Sequence, residues 1–210
     1  MHYEPGYAYP LIVWLHGRGG DERQLQRVMP LVSMRNYVAV APRGIGLPAG
    51  PRREQYSWLQ TEEHIQQAEQ RVFDGVDAAA RKFNIASQRI FLAGFDAGGT
   101  MAMRIALGRP DRFAGVASFC GALPMGHAPL GNLVTARRLW VLLASGRGSL
   151  AYPAEQVCED LRLLHSAGIS TTLRQYPCGQ ELTPQMLADL NRWIIEQIAP
   201  QPAEADATPR

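Results

Sequence analysis

Several kinds of protein are excluded by what this sequence lacks. No apolar run approaches the ~18 residues of a transmembrane helix, so no membrane span is expected. Cysteine occurs only at Cys120, Cys158 and Cys178. An odd set of thiols does not make a paired disulfide framework, so a reduced, cytoplasmic protein is expected. The net charge is only +2, and no basic block is long enough to mark a nucleic-acid surface. Met1–Tyr9 has neither a basic n-region nor an apolar h-region, so it does not read as a signal peptide. There is no internal repeat. Asp96, Gln180 and Glu181 offer oxygens, but no histidine or cysteine spacing accompanies them, so neither a metal nor a cofactor is expected.

What is present is ordinary globular material: 210 residues, 46% hydrophobic and 19% charged. That is enough for one domain with a substantial core, placed at residues 1–199. The Pro/Ala-rich stretch 200–210 is predicted to be a disordered tail. Apolar strand runs alternate with helical patterns. Strands are predicted at Pro10–Leu15, Tyr37–Ala41, Arg89–Ala93, Phe113–Phe119, Leu139–Ala144 and Thr171–Tyr176. Helices are predicted after Asp21 through Met29, over Thr61–Phe83, after the Ile90 strand, over Pro153–Ala167, and from Pro184 onward. Arg43–Arg53 reads as a Pro/Gly-rich loop. Ile65, Ala68, Val72, Val76, Ala79 and Phe83 make one stripe at helical spacing. Such alternation implies a doubly wound, mainly parallel α/β sheet with helices on both faces.

The most telling motif is Gly94-Phe95-Asp96-Ala97-Gly98. A G-x-S-x-G turn between a buried strand and a helix holds a hydrolase nucleophile above a sheet. Here both glycines, the strand and the helix start are present, but aspartate replaces the serine. Further motifs are Leu15-His16-Gly17-Arg18-Gly19-Gly20-Asp21, Tyr56-Ser57-Trp58, Arg109–Val116, Ser145–Ser149 with Tyr152-Pro153, and Tyr176–Glu181. Together they resemble the phospholipase/carboxylesterase family of α/β-hydrolases, which includes acyl-protein thioesterases. The resemblance covers almost the whole chain. It implies an α/β-hydrolase fold that starts just before the family's third strand and lacks the opening edge hairpin. The six strands should then pair with the Val38 strand outermost, followed by those of Leu11, Ile90, Phe113, Leu139 and Thr171. An exposed Val38 edge would favour a homodimer.

The resemblance also implies roles. Arg18 and Ala97 fall on the oxyanion-hole donors, and His16, Gly17 and Trp58 on the pocket, whose ligand would be a small acyl ester. The catalytic serine falls on Asp96 and the histidine on Gln180. The aspartate falls on Ser149, or on Gly148 if the loop shifts by one. An amide does not titrate near neutral pH, so Gln180 cannot serve as the base a serine-type mechanism needs. Two readings follow. In the first, the protein is a degenerate hydrolase with a ligand-binding or scaffold role. Its Asp96 carboxylate is then held by the amides of Arg18 and Ala97 and by the helix N-terminus. In the second, it is an active hydrolase in which Asp96 forms an ester that water must resolve. Whether the chain is an enzyme stays open at this point.

Overall fold

The computed structural model describes residues 3–47 and 55–199. The predicted tail at 200–210 lies outside them. The element order is β1 (Tyr9–Leu15), α1 (Gln24–Val32), β2 (Val38–Val40), β3 (Ile45–Leu47), β4 (Gln55–Ser57), α2 (Glu62–Lys82), β5 (Ile85–Phe95), α3 (Ala97–Gly108), β6 (Gly115–Phe119), α4 (Leu133–Ala136), β7 (Trp140–Gly146), α5 (Ala154–Ser166), β8 (Thr171–Tyr176) and α6 (Pro184–Ile198). Six strands form one sheet in the order β2-β1-β5-β6-β7-β8. Every pairing in it is parallel. This is the expected order, with the Val38 strand at an edge of the sheet.

The sheet is covered on both sides, which is why β1, β6 and most of β7 are continuously buried. All seven residues of β1 are buried. Its side chains alternate between two cores, as a period of two requires. Leu11, Val13 and Leu15 pack with α2 residues Ala68, Val72 and Val76 and with α3 residues Met101 and Ile105. Ile12 and Trp14 pack on the opposite face with Val28 of α1 and with Leu187, Leu190 and Trp193 of α6. α2 therefore buries Ala68, Val72, Val76 and Ala79 of the stripe read from sequence, with Ile65 half-buried and Phe83 at the C-cap. α6 starts as its sequence implies: Thr183 is its N-cap and accepts from the Met186 amide at 3.3 Å, with Pro184 in the first turn.

The structure departs from the sequence reading in several places. Asp21 lies upstream of α1 and accepts from the Arg23 amide at 3.0 Å, shaping the turn before the helix. α1 also runs past Met29 and through Pro30 to Val32. β5 begins at Ile85, pairs first with Tyr9, and reaches its regular register only at Ile90. β3 and β4 form a small antiparallel pair where a loop was expected. Three-residue strands carry too little alternation to be recognised, and the four-residue α4 is likewise too short to show a helical period. The rest of the expected Arg43–Arg53 loop lies largely outside the described residues. Asp96, Ser149 and Gln180 all sit on turns that leave the carboxyl ends of strands: β5, β7 and β8 respectively.

Candidate active site

β5 runs straight into the turn that carries Asp96. The turn is tight enough that only glycine fits on either side. A Cβ on Gly94 would lie 2.4 Å from the Gly98 carbonyl oxygen, and one on Gly98 would lie 2.3 Å from the Leu15 oxygen. Asp96 itself has φ 52 and ψ −123, a conformation that costs a residue with a Cβ about 1–3 kcal/mol. Its backbone is held from both sides. The Asp96 amide donates to the Phe119 carbonyl at 2.8 Å, and its carbonyl accepts from the Thr100 amide at 3.1 Å. The sheet and α3 thus hold Asp96 in a strained turn, with its side chain aimed at the loops beyond β1 and β8.

Asp96, Gln180 and Ser149 form one hydrogen-bonded string. Ser149 Oγ accepts from the Tyr152 amide at 3.0 Å. Its proton is therefore free to donate to Gln180 Oε1, 2.5 Å away. That leaves the Gln180 amide nitrogen facing the elbow. It donates to Asp96 Oδ1 at 3.3 Å and to the Cys120 carbonyl at 2.8 Å. The second carboxylate oxygen, Asp96 Oδ2, accepts from the Arg18 amide at 3.2 Å. Gly148, the alternative position for the acid, donates its backbone amide to the Cys178 carbonyl at 2.9 Å and so ties the two loops together.

The other expected site residues occupy differing places. Arg18 reaches Asp96 as described. The Ala97 amide makes no bond to the Asp96 carboxylate, which is drawn toward Arg18 and Gln180 instead. His16 is fully buried. Its Nδ1 donates to the Gly17 carbonyl at 2.8 Å, and its Nε2 accepts from the Gly44 amide at 2.9 Å. Burial lowers the pKa of His16 below its ordinary value. The ring is therefore a neutral brace between two loops, and both its nitrogens are occupied. Trp58 is also buried and donates from its indole nitrogen to the His16 carbonyl at 2.9 Å. Gly17 is buried against the Phe95 ring. Together these three form the supporting wall behind the Arg18 loop. Among the described residues no histidine is bonded to Asp96. His165 lies on α5 and His127 in an exposed loop, while His64 is paired with Thr61.

Three further residues contribute, and of these only Tyr152 falls within a sequence motif, Tyr152-Pro153. Cys120 follows β6 with φ 53 and is 2% exposed. Its carbonyl accepts from Gln180, and burial pushes its thiol pKa up, away from a thiolate. Tyr152 supplies the amide that fixes which way Ser149 donates. Asp160 is buried on α5, where its Oδ2 accepts from the Tyr152 hydroxyl at 2.8 Å and from the Leu123 amide at 2.7 Å. A signal for Asp160 was present: it lies on the helical spacing of Val157 and Leu164, a carboxylate within an apolar stripe.

Comparison with known proteins agrees with this architecture. The family model for phospholipases and carboxylesterases matches residues 6–198. NocK of Nocardia uniformis subsp. tsuyamanensis, named as an inferred esterase, is 32% identical over 134 residues. That match takes in 59% of this chain and only 38% of NocK. Among solved structures, the Bacillus cereus carboxylesterase superposes with a TM-score of 0.75 at 19% identity, covering 94% of this chain and 92% of that one. Zea mays acyl-protein thioesterase 2 gives 0.71 at 15% identity, covering 93% and 97%. Arabidopsis thaliana SOBER1 gives 0.73 at 19% identity, covering 91% and 100%. At these identities the structural likeness establishes the fold alone.

Proposed function

The chain belongs to the phospholipase/carboxylesterase family, and we propose that it is a catalytically degenerate member that uses the hydrolase fold for ligand binding or as a scaffold. One observation carries this reading: the sense of the hydrogen bonds through the three triad positions. In a working triad the nucleophile donates to the base and the base donates to the acid. Here the serine at the acid position donates to Gln180, and Gln180 donates to Asp96. Every bond points the other way. The middle group is an amide, which neither accepts a proton near neutral pH nor returns one to a leaving group.

The same geometry weighs against an Asp96 nucleophile. Both of its carboxylate oxygens are engaged, one by Gln180 and one by Arg18. An ester formed on Asp96 would need a base to activate water, and the group beside it is a hydrogen-bond donor. The ligand class that fits the family is a small acyl ester, bound without turnover. Three free thiols support a reducing, cytoplasmic setting. No helix among the described residues is long and apolar enough to cross a membrane.

The test is reconstruction. The triple variant Asp96→Ser, Ser149→Asp, Gln180→His restores the chemistry at all three positions and should yield weak hydrolysis of short activated esters. Asp96→Ser alone should yield almost none, because an unassisted hydroxyl is a poor nucleophile. A folded but inactive triple variant would favour the scaffold over the ligand-binding role. A stable mass adduct on wild-type Asp96 after exposure to such esters would favour the nucleophile reading.

A further inference from the structure

α3 carries a buried positive charge that nothing acidic balances. Arg104 is 4% exposed. It follows Asp96 by eight residues, about 12 Å along the helix from the elbow. Its Nε donates to Gln60 Oε1 at 2.5 Å, its Nη2 to the Met125 carbonyl at 2.6 Å and its Nη1 to the Gly126 carbonyl at 2.9 Å. All three acceptors are neutral. Among the described residues no carboxylate pairs with the guanidinium. Burial lowers its pKa from the ordinary value, but an arginine stays charged. A buried charge without a counter-charge is costly, and buried charges are ordinarily paired.

A second observation points the same way. Gln60 Nε2 is buried and donates to nothing. The amide cannot simply be turned over, because its NH2 group would then face the Arg104 Nε–H. The loop after β6 is also wound around the guanidinium. Gly126, His127 and Ala128 have φ of 70, 52 and 43, left-handed values that residues with a Cβ rarely adopt. Met125 is 83% exposed, so the guanidinium lies close beneath the surface. A guanidinium offers five N–H groups, and the bonds named above use three. The rest, with Gln60 Nε2, are donors around one positive charge. We infer that Arg104 and Gln60 form a binding site for a small carboxylate, held between the Trp58–Gln60 segment and the Leu123–Gly126 loop. The planar fork of an arginine suits a carboxylate better than a spherical anion. This site is separate from the triad positions, and its chemistry does not depend on whether they turn over.

The experiment is an amide-resolved NMR titration of the full chain with sodium acetate, exchanged against sodium chloride at constant ionic strength. Acetamide is the neutral comparator of the same shape. Acetate should give saturable shifts centred on Gln60, Arg104, Met125 and Gly126, in about the millimolar range open to so small a ligand. Acetamide should bind at least about tenfold more weakly. Gln60→Glu supplies the counter-charge from the chain itself, beside Arg104 Nε. It should raise Tm by about 2–4 °C and weaken acetate binding at least about tenfold. Absence of saturation, shifts centred on the Asp96 loops, equal binding of acetamide, a lowered Tm in Gln60→Glu, or acetate binding unchanged by that substitution would each overturn the proposal.

Discussion

Replacing Gln180 with glutamate changes one atom type and should convert the elbow into a pH-sensitive weak point. In the wild-type structure the Gln180 amide nitrogen lies 3.3 Å from Asp96 Oδ1 and donates to it. In Gln180→Glu a second carboxylate oxygen takes that place. Two like charges about 4 Å apart repel by about 4 kcal/mol at an effective dielectric of about 20. Asp96 is only half-buried, so water reduces this to about 2 kcal/mol. The sign follows from proton counting. Above pH ~4 the unfolded carboxyls are ionised, while repulsion between the like charges makes the folded pair hold a shared proton to higher pH. The folded state then binds more protons than the unfolded one, so stability falls as pH rises through that window and levels off above it. Ser149 still donates to the new carboxyl, but one proton cannot serve both Asp96 Oδ1 and the Cys120 carbonyl, so at pH 4 the variant should still lie about 1–3 kcal/mol below wild type, with the further loss appearing as pH rises. Urea unfolding at pH 4, 5, 6 and 8, read as the difference from wild type, measures this directly. A difference that stays flat with pH would refute the contact between Gln180 and Asp96.

Other outcomes follow from the same structure. Ser149→Ala leaves the buried Tyr152 amide and Gln180 Oε1 without their partner; it should cost about 1–3 kcal/mol in urea unfolding, and a cost near zero would remove Ser149 from the string. Gly98→Ala places a Cβ 2.3 Å from the Leu15 oxygen. It should cost about 3 kcal/mol or more, a fall in Tm of about 6–12 °C, and an unchanged Tm would show the elbow to be looser than described. His16 has a folded pKa below its ordinary 6.5, so below pH 6.5 the unfolded chain takes up a proton that the folded chain resists. Wild-type stability should drop as pH falls through that point, and His16→Gln, though less stable overall, should lack this component in the pH dependence of its urea midpoint.

Much of this was legible in the sequence because it rests on local physics. The stripe Ala68, Val72, Val76 and Ala79 specifies the buried face of α2 by its spacing alone. The pair Gly94 and Gly98 marks a turn too tight for a Cβ on either side, and the structure gives the distances that explain why. The identity of the residues at 96, 149 and 180 was equally plain. Their hydrogen-bond directions were not. Those depend on the Tyr152 amide, which occupies the Ser149 oxygen and forces its proton toward Gln180. No reading of residue types reveals that constraint. The positive φ of Cys120 is hidden for the same reason: it depends on where the Cys120 amide and carbonyl find their partners, Ala144 and Gln180, which are remote in sequence. His16 looked like a pocket residue because its motif is a loop motif. Its burial follows from Gly44, which arrives from a segment whose path the sequence does not show.

Whether the triad positions still support turnover is decided by steady-state hydrolysis of p-nitrophenyl acetate and butyrate by the purified wild-type protein, with Asp96→Ala measured alongside. The structure leads us to expect both proteins to match the uncatalysed background at every substrate concentration. Saturable hydrolysis by the wild type that disappears in Asp96→Ala would contradict the account, because it would mean that Asp96 reacts despite the donors that hold it.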